Sequence, residues 1–250
     1  MIKFVILLLC LIASGLSAQR LTGPGTEDPG VLLAFGYGPF STAGDLGDRF
    51  GGGFSLSGSV NYLPGSARWD LGVMATYGFG NVVREDVLAG LRTDAGYLIG
   101  NQRAPADVAL RQRHLFVGPR FGYTFSLGSN RRAGLTSTTG LGYFYSRIRF
   151  QEDPVQYLPQ IDPSRQAGYD RLTGGPALYQ FVGYQQLSLD RRLNFFVGGE
   201  LIYAATQHLR RYDVTLAAPS DTGGRRDLVV GARIGLILPI YLGSGEEIFY

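Results

Sequence analysis

The sequence predicts an all-β chain folded as an eight-stranded antiparallel up-and-down transmembrane β-barrel. Three observations predict it. Apolar and aromatic residues recur at every second position in one segment after another, the period of a strand and not of a helix. The links between these segments are alternately turn-like and long, as in barrels that cross a bacterial outer membrane. The composition, with 37 Gly, 15 Phe, 15 Tyr, 45% hydrophobic and 17% charged residues, suits strands facing lipid on one side and a crowded interior on the other.

The first residues are a separate unit. Lys3 precedes an unbroken apolar run over residues 4–12, followed by the small residues of 13–18, which is the pattern of a secretory signal peptide, 1–18, cut after Ala18. The run is too short to span a bilayer, which takes roughly 20 apolar residues. Cys10 is the only cysteine and leaves with this segment, so the mature chain has neither disulfides nor thiolate metal sites. A short periplasmic segment, 19–29, is expected next, then the barrel over 30–243 and a tail over 244–250.

The strands read in order. Val31, Leu33, Phe35 and Tyr37 alternate with Leu32, Ala34, Gly36 and Gly38, and then Phe54, Leu56, Val60 and Tyr62 alternate with Ser55, Ser57, Ser59 and Asn61. The third strand, 69–79, sets Trp69, Leu71, Val73 and Tyr77 against Asp70, Gly72, Met74 and Thr76. The fourth sets Leu115, Val117, Phe121 and Tyr123 against His114, Gly118, Arg120 and Gly122, and the fifth opposes Leu141, Tyr143 and Tyr145 to Thr138, Gly140 and Gly142. The sixth, 177–189, has no regular facing; the seventh and eighth pair Phe195, Val197, Leu201, Ile234, Leu236 and Leu238 with inward Asn194, Gly198, Glu200, Arg233 and Gly235.

Links at 63–66, 128–131 and 190–192 are turn-like, rich in Pro, Gly, Ser, Asn and Asp. Those at 41–53, 81–113, 151–176 and 207–227 are long and polar. Short turns face the periplasm in such barrels, so both termini are expected to be periplasmic and the four long loops extracellular. A soluble eight-stranded barrel would hide its apolar residues inside. Here one strand face is small and polar while the other is large and aromatic, which places lipid outside.

The last strand carries Arg233, Gly235, Leu238 and Ile240, and the chain ends in Phe249 and Tyr250. This resembles the C-terminal signal read by the barrel assembly machinery, which the resemblance implies as a partner during biogenesis. By strand count, loop alternation and terminus, the mature chain resembles the small bacterial outer-membrane β-barrel superfamily that includes OmpX-type and OmpA transmembrane-domain-type barrels. That resemblance implies an outer-membrane location, whereas activities vary widely across one architecture.

An eight-stranded barrel is filled by its own side chains. Asp70, Arg120, Glu200 and Arg233 fall on the inward set, with Glu200 and Arg233 on adjacent strands, so a lumenal ion-pair network is expected, because unpaired charges there would be costly. Enzymatic chemistry would need a nucleophile and a base near the outer leaflet. His114, His208, Ser164 and Ser220 are expected at the loop-bearing rim and are the candidates for a lipid-modifying hydrolase or acyltransferase, although no spacing singles out a triad. Asp45 with Asp48 and Glu152 with Asp153 lack a calcium-loop pattern, and neither a cofactor nor a metal motif is present.

Every basic residue after Lys3 is arginine, and the net charge of the whole chain is only +3. The arginines form no stripe with exposed aromatics, so nucleic acid is not an expected partner. Outer-membrane lipid and the phosphates of lipopolysaccharide are, since guanidinium pairs bidentately with phosphate. The pairs Arg131-Arg132 and Arg191-Arg192 are expected to contact headgroups from the periplasmic turns. Long loops are usually functional when they are not disordered, so a protein partner is expected there. The reading is a structural or interaction protein, with a lipid-modifying enzyme and a narrow channel as alternatives.

Overall fold

The alternation becomes a ring of hydrogen-bonded strands. A computed structural model of the chain describes residues 28–128, 130–152, 156–162, 165–188, 193–215, 218–219 and 223–242. The expected signal peptide, Ser164, Ser220, Arg191-Arg192, Phe249 and Tyr250 lie outside these residues. The barrel strands are β1 (Gly30–Gly44), β2 (Gly53–Leu63), β3 (Trp69–Gly80), β6 (Val108–Ser126), β7 (Ala133–Glu152), β8 (Thr173–Leu187), β9 (Asn194–His208) and β12 (Arg225–Tyr241). Two small hairpins, β4 (Leu98–Ile99) with β5 (Pro105–Ala106) and β10 (Tyr212–Asp213) with β11 (Ala218–Pro219), lie in the links.

Each barrel strand pairs antiparallel with the next, and β1 closes the ring on β12 from Gly30↔Tyr241 to Gly44↔Asp227. Closure removes every free sheet edge, the condition for backbone to cross lipid. Outward side chains are apolar or aromatic and exposed, such as Phe35, Leu56, Val73, Phe121, Leu141 and Leu236. Inward ones are glycines, hydroxyl residues, paired charges and a few large rings. Two aromatic girdles bound the apolar belt. Trp69, 6.2 Å from Phe121, lies at the short-turn end, and Tyr37, stacked 5.4 Å from Phe54, lies toward the long-link end.

Several boundaries differ from the sequence expectation. A transmembrane strand needs about 9–11 residues, yet β6 and β7 run to 19 and 20. Both continue past the apolar belt, so the long links contract to 45–52, 81–107, 153–172 and 209–224. The extensions carry arginine on their outer face and apolar Val108, Ile148 and Phe150 on the inner one, so the pairing continues while the hydropathy contrast is inverted. On β8, Ala177, Tyr179, Phe181 and Gln185 point inward while Leu178, Gln180 and Val182 point outward, which settles the facing of the sixth barrel strand.

The links fold over one mouth of the barrel. A five-residue helix (Asp45–Arg49) and 3-10 turns at Ala89–Leu91, Pro159–Ile161 and Gln166–Gly168 place Leu46, Phe50, Leu88, Leu98, Leu158 and Ile161 in a buried apolar core. This core is continuous with the lumenal rings Phe116, Phe144 and Phe181. A smaller cluster of Leu32, Ala34, Leu63, Leu187 and Ile237 closes the short-turn end.

Candidate functional site

The lumen is layered. Above the apolar cluster at the short-turn end, Arg120 Nη2 lies 2.7 Å from Asp70 Oδ1 across the β3 and β6 strands. The same guanidinium donates to Ser59 Oγ at 3.4 Å and Thr138 Oγ1 at 3.3 Å. Further along, Arg233 Nη2 lies 2.7 Å from Glu200 Oε1, with both side chains 1% exposed. Arg233 also donates to Ser55 Oγ at 3.1 Å and to Thr76 Oγ1 and Tyr179 Oη, each at 3.3 Å. The register explains the approach: Glu200 opposes Gly231 and Arg233 opposes Gly198, so the two stand two positions apart on paired strands, with Glu200 beside Gly231 and Arg233 beside Gly36 of β1.

The four charges form two pairs with separate hydroxyl partners; among the described residues no hydrogen bond joins one pair to the other. A void of about 40 Å³ beside Asp70, Arg120 and Arg233 has room for a few waters. Large rings fill the remaining section. Phe181 lies over Gly183 and Gly198, where an added Cβ would come within 2.7 and 2.8 Å of its Cζ. Small inward residues on β8 and β9 are thus the complement of a large one.

Of the candidate catalytic residues, His114 and His208 fall among the described residues. His114 is not at the rim: because β6 begins at Val108, its side chain points into the lumen, 2% exposed. It lies with its ring 4.7 Å from Phe40 and 5.4 Å from Phe144, and no protein group bonds either ring nitrogen. His208 ends β9, opposite Thr173 in the register. Buried Gln112, Ser146 and Thr173 near His114 also lack protein hydrogen-bond partners. Among the described residues no hydroxyl–imidazole–carboxylate chain includes His114.

Arg132 corrects another expectation. It does not project toward headgroups but turns inward, 3% exposed, donating to the Asp28 carbonyl at 2.8 Å with its guanidinium 5.4 Å from the Tyr241 ring centre. Within the proposed assembly signal, Arg233 and Gly235 face the lumen while Leu238 and Ile240 face outward.

The cap over the other mouth is held by charge. Arg49 Nε lies 2.9 Å from Glu85 Oε2, Arg171 Nε lies 2.7 Å from Glu85 Oε1, and Arg171 also pairs with Asp213. One residue from each of the four links therefore enters a single chain of ion pairs. Arg49 also donates to the Arg171 carbonyl at 3.2 Å. Burial, and then the nearby Arg225 charge, hold the Arg49 guanidinium below its ordinary pKa, with Glu85 acting in the opposite sense. Arg210 pairs with Asp170 at 2.6 Å, and that hydrogen bond raises its pKa. Sequence reasoning missed this cluster, because its members are far apart in the chain and sit in links without periodicity.

No protein-family model matches the chain, and no curated protein matches it. Among solved structures it is similar to Ail, the attachment invasion locus protein of Yersinia pestis, crystallised with the heparin analogue sucrose octasulfate. The identity is 11%, with 84% of this chain and 99% of that chain covered and a TM-score of 0.39. It is also similar to Neisserial surface protein A, at 14% identity, 83% and 96% coverage and a TM-score of 0.38. The N-terminal β-barrel domain of Pseudomonas aeruginosa OprF follows at 10% identity, 83% and 99% coverage and a TM-score of 0.33. The described strands of the chain form a closed eight-stranded antiparallel barrel.

Proposed function

We propose that this chain is an outer-membrane structural and interaction protein that presents its four-link cap to the outside of the cell, with both termini periplasmic. In this reading residues 1–18 are removed on export, and the assembly machinery reads the last strand through Arg233, Gly235, Leu238 and Ile240. The observation that carries the proposal is the ion-pair chain Arg49, Glu85, Arg171 and Asp213, which ties all four links into one surface with its own apolar core. Ordering so much loop costs backbone entropy, which a mere spacer has no need to offset.

The cap surface has the chemistry of a protein contact. Tyr97 is 58% exposed, Tyr157 50% and Ile99 39%. The strand carrying Ile99 leads directly into Asn101, whose amide donates to the Tyr157 carbonyl at 3.0 Å, so the three belong to one region. Exposed aromatics on an ordered support are favoured anchors for a partner. A photoreactive residue at position 97 or 157 in intact cells tests this reading. A discrete adduct is expected from the cap, absent when the reactive residue replaces Leu71 on the lipid face and lost when Ile99 is changed to Asp. Equal labelling from all positions, or none from the cap, counts against the proposal. Single cysteines at Asn101 and Arg131, probed with an impermeant maleimide, test orientation, with labelling expected only at Asn101.

A further inference from the structure

Four arginines stand on the outer wall of the barrel, and among the described residues no carboxylate pairs with them. Arg111 and Arg113 lie on the outer face of β6, Arg147 and Arg149 on that of β7, and the register sets Arg113 directly opposite Arg147 and Arg111 directly opposite Arg149. Like charges directly opposite in an antiparallel pair repel and destabilise it. Among the described residues none of the four makes a salt bridge. Arg111 Nε donates to Gln151 Oε1 at 3.0 Å and Arg113 Nη1 to the Gln112 carbonyl at 2.6 Å, both neutral acceptors. Glu152 accepts the Leu158 amide and Asp170 holds Arg210.

Depth in the wall identifies the missing anion. One step along the strands toward the membrane the register places Tyr77, Leu115 and Tyr145 side by side, within the aromatic girdle. Between that row and the arginines lies an outward-opening groove of about 300 Å³ whose outward side chains are Tyr77, Arg113, Leu115, Tyr145, Arg147 and Leu172, with the inward residues His114 and Ser146 also reaching its wall. Its floor is apolar and aromatic and its upper rim is cationic. A ligand filling it needs an acyl chain below and a strong anion above, and it must approach from the bilayer rather than from water.

We infer that this groove is a binding site for a phosphorylated glycolipid of the outer leaflet, with a phosphate seated among the guanidinium groups of Arg113, Arg147, Arg111 and Arg149 and an acyl chain along Leu115 and Tyr145. Guanidinium binds phosphate bidentately through paired N–H donors, and such charge-assisted bonds are the strong ones. The bound anion would relieve both cross-strand repulsions at once. The site names the residues for the lipid contact that the all-arginine composition suggests. It takes only the choice of leaflet from the proposed orientation and is independent of any partner on the cap.

Native mass spectrometry of the full mature protein, with bisphosphorylated lipid A as the probe, tests the site. Bound lipid A is expected to survive detergent exchange, and its enzymatically dephosphorylated form is expected to bind about tenfold or more weakly, the loss of charge-assisted bonds. Changing Arg113→Gln and Arg147→Gln together should produce a similar loss, whereas Arg68→Gln with Arg131→Gln, at the other end of the barrel, should leave binding unchanged. Each variant is first checked for folding by heat-modifiable mobility. Should the glutamine pair fail to fold, the Arg→Lys pair, which keeps the charge and loses the fork, is expected to bind with intermediate strength. Equal retention by wild type and both arginine-to-glutamine pairs, or equal retention of phosphate-free lipid, overturns the site. Displacement of lipid A by equimolar inorganic phosphate would assign the rim to the free anion and overturn the lipid reading. Cross-linking from position 97 reports on the cap alone, so the two proposals fail separately.

Discussion

Arg171 of the third link lies 2.7 Å from Glu85 of the second through its Nε, while its Nη1 pairs with Asp213 of the fourth. Arg171 adopts a φ of 47°, a left-handed conformation that a non-glycine residue rarely takes, so its contacts hold it where its backbone alone would not. Through Arg171 the links over the mouth of the barrel are tied to one another.

Replacing Arg171 with Ala should therefore loosen the cap and leave the barrel standing. Amide hydrogen exchange is expected to speed up across 81–107 and 209–215, with the strand amides of β1 and β12 unchanged. Uniform protection in both regions would show that the ion-pair chain contributes nothing to order.

In the lumen, removing one member of the Glu200 and Arg233 pair leaves the other charge buried and alone. Glu200→Gln is expected to destabilise the barrel by about 3–5 kcal/mol, read from the urea midpoint of unfolding in detergent. Glu200→Leu combined with Arg233→Met, which removes both charges, should recover most of that loss. A midpoint for Glu200→Gln equal to that of wild type would show that the pair is not a structural element.

His114 packs against the inward face of Gly78, where an added Cβ would come within 2.0 Å of its ring. Gly78→Ala should cost about 1–3 kcal/mol by overpacking. His114→Ala in the same chain should relieve much of the clash, giving a non-additive pair in a double-mutant cycle. Additive effects would mean that the ring finds space elsewhere.

Thr139 donates to Gln180 at 2.7 Å and Gln180 donates to Ser137 at 3.0 Å on the outer face, within the apolar belt. Their bonds satisfy one another, and nothing in the lumen depends on them. Gln180→Leu with Thr139→Val is expected to fold and to keep or raise the unfolding midpoint, since an apolar surface suits lipid better. A large loss of stability would show that this cluster is a required part of the wall.

With a void of about 40 Å³ beside the lower ion pair and a packed cap above, the barrel should conduct no ions. Planar-bilayer recordings of wild type are expected to stay at baseline. Deleting residues 84–104 from the cap should leave the recordings unchanged, because Glu200, Arg233 and Phe181 still fill the section. Discrete open levels in wild type would restore the channel reading.

Much of this was legible because β-structure alternates: a side chain at every second position must meet lipid, so Phe35, Leu56, Val73 and Leu236 declare their strands and their faces. Where the contrast between faces failed, legibility failed. On β8 the inward positions hold Tyr179 and Phe181 and an outward one holds Gln180, an inversion made workable by glycines on the neighbouring strands that accept the rings. On the extended ends of β6 and β7 the faces exchange character, with inward Val108, Ile148 and Phe150 in the apolar core under the links and Arg111, Arg113, Arg147 and Arg149 facing out, so the alternation that marks the apolar belt is inverted there.

The sequence by itself determined the fold class, the strand count and which face of most strands is apolar, because each of these follows from a local repeat weighed against the cost of burial. The tertiary structure alone decided that Asp70 and Arg120 form a pair separate from Glu200 and Arg233, that His114 lies inside and Arg132 turns inward, and that four links join through Arg171. Those outcomes depend on the register between strands and on which links meet over the mouth, distances set by closing the ring and invisible in the order of residues along the chain.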